Sequence, residues 1–138
     1  MLRTRVSAKA ESEYAADVAL AGQFDHLLSA ARTAEQELRA AQARAQPAAE
    51  VYPLAQRLDQ ALTNVMQAAY AAQRAEIGPR GYDDRIYRRK AKARPAVHAW
   101  TDEAERLLTL RETHRLTGFP DRPRTDFPGT DIATYVPA

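Results

Sequence analysis

Apolar or small side chains recur in 3,4 alternation along two stretches of this chain, and that spacing limits the folds open to it. The first stretch runs Leu20, Phe24, Leu27, Ala31, Ala34, Leu38, Ala41, Ala45; the second runs Val51, Leu54, Leu58, Ala61, Val65, Ala68, Ala72, Ala75. A repeat of about 3.5 residues is the seam of a helix that lies nearly parallel to a partner helix, with knobs seated in holes. The seam is interrupted at Gln46-Pro47. The two stretches are therefore expected to fold back on each other as a long antiparallel helical hairpin over residues 7–77.

Local signals give the hairpin its ends. Ser7 suits the N-cap of a first helix whose early acids (Glu11, Glu13, Asp17) and later bases (Arg32, Arg39, Arg44) follow the helix dipole. Gly22 is its weak point, since a glycine inside a helix costs up to about 1 kcal/mol relative to alanine. If continuous to Gln46, the helix would be roughly 60 Å long. Pro47 and Pro53 bracket the start of the second helix, and Gly78-Pro79 ends it. Leu62, Met66, Ala69 and Tyr70 widen its apolar face beyond a two-helix seam, so a third element must cover them. That element is expected at 95–117, with an apolar face of Val97, Trp100, Ala104, Leu107, Leu108, Leu110 and Leu116, closed by Gly118. Trp100 is expected in the core.

A chain of 138 residues is long enough for one domain with a modest core, here residues 1–118. The absence of cysteine excludes disulfides and thiolate metal sites. No apolar run approaches the roughly 18 residues of a membrane span, and the N-terminal residues lack the apolar core of a signal peptide. Membrane attachment is not expected; a cytoplasmic location is, or one inside a virion if the chain is phage-encoded. Alanine forms about a fifth of the chain, well above ordinary usage. At a seam it lets backbones approach while burying little area, so an alanine-rich hairpin gains much from additional partner helices.

Charge is uneven. Net charge is +2, yet Arg80, Arg85, Arg88, Arg89, Lys90, Lys92 and Arg94 outnumber Asp83 and Asp84 within 80–94, which makes that segment +5 and leaves −3 for the rest. A short helix is expected from about Tyr82 to Ala93, with Arg85, Arg88, Arg89 and Lys92 on one face and Tyr82 and Ile86 anchoring another. Such a face suits phosphates, with Tyr87 placed to stack on a base, or an acidic protein surface.

Elsewhere the chemistry is sparse. His26, His98 and His114 match no metal-ligand spacing; His98 and Asp102 lie one helical turn apart but lack a third ligand. Serine occurs only at Ser7, Ser12 and Ser29, and the glycines form no phosphate loop. No catalytic residue, metal, cofactor or small-molecule substrate is expected, and the chain is not expected to be an enzyme.

The last residues change character. Phe119-Pro120-Asp121 and Phe127-Pro128-Gly129 recur eight apart, with further prolines at Pro123 and Pro137, and no helical or strand period survives. Residues 119–138 are expected to be an extended docking arm whose Phe119, Phe127, Ile132, Tyr135 and Val136 enter grooves on another subunit. The expected fold class is all-α: the hairpin, one or two shorter packed helices, and the arm. In shape alone this resembles the small helical adaptor and minor structural proteins of tailed-phage particles, which implies a non-catalytic subunit of a larger assembly. Its partners would be other protein subunits, including copies of itself; nucleic acid is the alternative partner, met through the basic face.

Overall fold

Glycine at 22 divides the first rod. In the computed structural model of the chain, which describes residues 5–120, α1 (Ala8–Ala21) stops there and α2 (Phe24–Ala43) begins after Gln23. The amide of Gly22 still bonds Val18 O at 3.0 Å, whereas that of Gln23 reaches only three residues back to Leu20 O. The seam survives the break: Leu20, Phe24 and Leu27 remain half-buried, and Ala31, Ala34, Leu38 and Ala41 are buried. Ala45 leaves it. It takes a left-handed conformation (φ 53°), with Gln46 N bonding Ala41 O and Ala45 N bonding Gln42 O. That pair of bonds is the Schellman ending usually built on glycine, and it reverses the chain.

Pro47 then caps α3 (Ala48–Ile77) in an extended conformation, so the helix starts between the two prolines as expected, and Pro53 is carried inside it. Pro53 is exposed and has no amide to offer Ala49 O. Replacing it with alanine is expected to raise thermal stability by about 1–3 kcal/mol, because an interior proline costs a helix about 3 kcal/mol relative to alanine. Thermal melts of Pro53→Ala check this; an unchanged or lower midpoint would show that the ring is needed for packing.

The remaining elements are α4 (Arg80–Asp83), α5 (Arg85–Ala91) and α6 (Pro95–Thr117), with no strand among the described residues. α3 is the central rod. α1 and α2 run antiparallel along one side, as the pairs Asp17–Arg74 and Glu37–Arg57 record. α6 runs antiparallel along another side, from Thr101 beside Gln73 to Arg115 beside Asp59. This all-α packing confirms the hairpin and the third covering helix, with the first rod in two pieces.

The core lies along α3. Leu38 of α2, Val65 of α3 and Leu107 of α6 are almost wholly buried, and Leu58, Leu62 and Met66 extend the layer. Ala55, Ala68, Ala69 and Ala71 of α3 have no exposed surface, so the helices close on methyl groups. Trp100 is half-buried, not central: its ring stands edge-on to Phe24 with centroids 5.1 Å apart, joining α6 to the start of α2.

The end of α6 departs from expectation. Leu110 and Leu116 point to solvent, Leu116 with 85% exposure. The inward positions are taken by His114, which is buried, and Arg111, whose Nη1 lies 3.4 Å from Thr63 Oγ1. The Nε2 of His114 is 2.8 Å from Ala55 O; a carbonyl only accepts, so the ring carries its proton on Nε2. Gly118 makes room for this ring, since a Cβ there would lie 2.0 Å from His114 Nδ1. Phe119 follows and packs on the chain's own body, 4.9 Å from the His114 ring and 5.3 Å from Tyr52, between centroids. Phe119, expected in the arm, is thus half-buried against the chain's own body. Phe127, Ile132, Tyr135 and Val136 lie outside the described residues.

Candidate functional site

The basic segment folds as two short helices, because Asp84 interrupts it. Gly78 ends α3 at φ +100°, a conformation that favours glycine, and the chain turns through Pro79 into α4. Asp84 is extended and caps α5, its Oδ1 accepting from Tyr87 N at 2.9 Å. The single helix expected from about Tyr82 to Ala93 runs through Asp84; an aspartate ahead of an Arg-Ile-Tyr-Arg-Arg run was the signal for a cap.

α5 docks by the face opposite to the one expected. Tyr87 and Ala91 pack against Ile77 and Val97, while Ile86 is 68% exposed. Tyr87 is therefore not available to stack on a base; instead the Arg80 guanidinium sits over its ring, 4.5 Å from the centroid. Tyr82 does anchor the segment, donating its hydroxyl to Asp17 of α1 and meeting the Tyr14 ring edge-on.

Three of the seven bases hold the segment in place. Arg88 donates to Gly81 O at 2.9 Å, and Arg94 donates to Ile77 O at 3.0 Å, filling a carbonyl at the end of α3. Arg80 reaches Asp84 at 3.4 Å. Arg85, Arg89, Lys90 and Lys92 are exposed and make no ion pair or side-chain hydrogen bond among the described residues. With 100° per residue they form one continuous arc around Ile86.

Two carboxylate clamps that sequence reading missed fix this surface to α1. Asp83 accepts from Ser7 N at 2.7 Å and Ser7 Oγ at 2.9 Å, and Ser7 Oγ accepts in turn from Ala10 N. Asp17 receives Arg74 Nε at 2.8 Å as well as the Tyr82 hydroxyl. These partners lie 57 to 76 residues apart, and no local pattern announces such pairings.

Electrostatics follow the clamps. Burial alone would raise the Asp17 carboxyl, but hydrogen bonds from Arg74 and Tyr82 outweigh it and hold it below the usual carboxylate range. Burial, with Asp17 beside it, pushes the Tyr82 phenol far above its ordinary value. The Arg115 guanidinium lowers Asp59 against a smaller burial effect. Both aspartates thus titrate lower in the folded chain than the unfolded value of about 3.9. Their stabilisation is complete above that pH and is lost as pH falls through the folded values. Melting midpoints below about pH 4 should therefore fall steeply, and the slope should flatten in Asp17→Asn with Asp59→Asn. An unchanged acid limb would rule these two out as its source.

The other chemically suggestive pair does not extend into a site. His98 Nδ1 and Asp102 Oδ2 are 3.2 Å apart on exposed α6, and no group of three metal-ligating side chains comes together among the described residues. No helix among them is long and apolar enough to cross a membrane. Compared with known proteins, the chain matches no family model, no curated protein and no solved structure. Geometry alone carries the functional reading.

Proposed function

We propose that this chain is a non-catalytic helical adaptor, a structural subunit of a larger macromolecular assembly, whose most specific form is a connector or minor structural protein of a phage particle. The observation that carries the reading is the division of labour among the charged groups of 80–94. Arg80, Arg88 and Arg94 fasten the segment inward, while Arg85, Arg89, Lys90 and Lys92 stand outward around an exposed isoleucine. An apolar anchor inside a ring of unspent charge is the composition of a contact surface.

The test is incorporation. A chain ending after Pro120 should keep its helical circular dichroism, whereas one ending after Gly118 also loses the packed Phe119. In the native host, sedimentation of a lysate should find the full chain in particles of high mass. Arg85→Glu with Arg89→Glu, or the cut after Pro120, should move it to the slow fractions. Equal sedimentation of all three forms would defeat the proposal.

A second reading, nucleic-acid binding, is favoured by the same four cations. It is tested by titrating a duplex and a single strand at several salt concentrations. A log–log slope of about −2 to −4 that Arg85→Ala plus Arg89→Ala largely removes would select it. Arg88 is unsuitable for that test because it holds Gly81.

A further inference from the structure

An open groove of about 420 Å³ lies between residues 5–6 and α5. Val6 and Ile86 supply its apolar surface, and Arg5 and Arg85 stand on its rim with no partner among the described residues. Its two carboxylates do not cancel that charge. Asp83 is occupied by Ser7, and Asp84 by Tyr87 N and Arg80. What fits is a peptide that brings a carboxylate next to a large apolar side chain.

The chain carries that pattern twice beyond the described residues: Thr125-Asp126-Phe127 and Thr130-Asp131-Ile132. From 125 to 138 there are two aspartates and no base, the complement of the groove's sign. We infer that the groove receives the 125–132 segment of a neighbouring copy, so that copies join head to tail.

Geometry separates a neighbour from the chain itself. The segment departs from Phe119, which is held at Tyr52 near the start of α3. The groove lies beyond the other end of α3, past Ile77. From Tyr52 to Ile77 the helix rises roughly 38 Å at 1.5 Å per residue. From Pro120, Asp126 reaches at most about 20 Å and Asp131 about 36–40 Å when fully taut. Asp126 thus falls short of its own groove, and Asp131 reaches only on a straight line along the body. A second molecule imposes no such limit. Because the two contacting parts of the chain differ, the contact is heterologous and closes into a ring or propagates as an open filament.

This deepens the subunit reading by naming a copy of the chain as one partner, and its test is independent of any host particle. Purified full-length chain is followed by sedimentation velocity over a wide concentration range at low and moderate salt. Wild type should associate beyond dimers, more weakly as salt rises. A groove variant (Arg5→Glu with Arg85→Glu) and an arm variant (Asp126→Arg with Asp131→Arg) should each be at least about tenfold weaker. Ile86→Ser, at an exposed position, should weaken association without altering the melt. Mixed in equal amounts, the groove and arm variants should associate with each other far better than either does alone, since the aspartate arm then meets an arginine groove and the arginine arm a glutamate groove. A chain carrying both reversals should associate again.

Wild type that stays monomeric at every concentration overturns the inference while leaving the adaptor reading standing. So does association indifferent to both variants. A mixture of the two variants, or a doubly reversed chain, that associates no better than either variant alone points to a different interface. Saturation of the groove by a nucleic acid, with no self-association, assigns it to the other class of partner.

Discussion

Leu107→Ala is expected to cost about 3–5 kcal/mol, since a fully buried leucine loses both its transfer free energy and the packing around the cavity it leaves. Leu107 is 1% exposed and shares one buried cluster with Leu62, Val65, Met66 and Ala69 of α3. Leu38→Ala, at 0% exposure across the other side of α3, belongs to the same class. For a domain of this size the melting midpoint should fall by roughly 10–20 °C. A total stability of about 5–15 kcal/mol leaves little margin, so the double variant should be largely unfolded at ambient temperature. Chemical denaturation of each single variant gives the number. A cost below about 1 kcal/mol would mean that the seam is not the core.

Gly118→Ala is expected to be nearly as damaging, for a different reason. A methyl at 118 would meet His114 Nδ1 at 2.0 Å and His114 O at 2.8 Å. The ring cannot swing aside cheaply, because it bonds Ala55 O on one edge and lies against Phe119. Expelling it forfeits a buried hydrogen bond and loosens Phe119, about 2–4 kcal/mol together. The cause is separable by a double-mutant cycle. In a His114→Ala background the ring is gone and only the contact with the main-chain oxygen of residue 114 remains, so adding Gly118→Ala should cost less, leaving a coupling energy of about 1–3 kcal/mol. Additive effects would locate the damage in the backbone instead.

The rods were legible in the sequence because hydrophobic spacing is a property of neighbouring residues. Pro95–Thr117 was readable from a proline at one end and a glycine at the other, and the start of α3 from its two prolines. Where spacing misled, a polar or conformational demand had overruled it. Ala45 fits the seam by number but was needed to reverse the chain. Leu116 fits an apolar face, yet His114 occupies the inward course because Ala55 O gives it a partner there. Ile86 was read as an anchor, whereas Tyr87 and Ala91 fit the small pocket beside Ile77 and Val97. The basic surface was visible as a charge run, but which bases are spent inward depended on contacts with Gly81, Ile77 and Asp84 that only folding brings about.

The gap at Gly22 has a mechanical consequence. In α1 only Ala10 is fully enclosed, and the piece is otherwise fastened by Ser7 to Asp83 and by Asp17 to Arg74 and Tyr82. A segment secured by polar ties and jointed at one end opens before the leucine-bearing rods do. Its leading residues, Arg5 and Val6, form one wall of the groove. Peeling of α1 dismantles that wall, so whatever occupies the groove is thermodynamically linked to closure of α1.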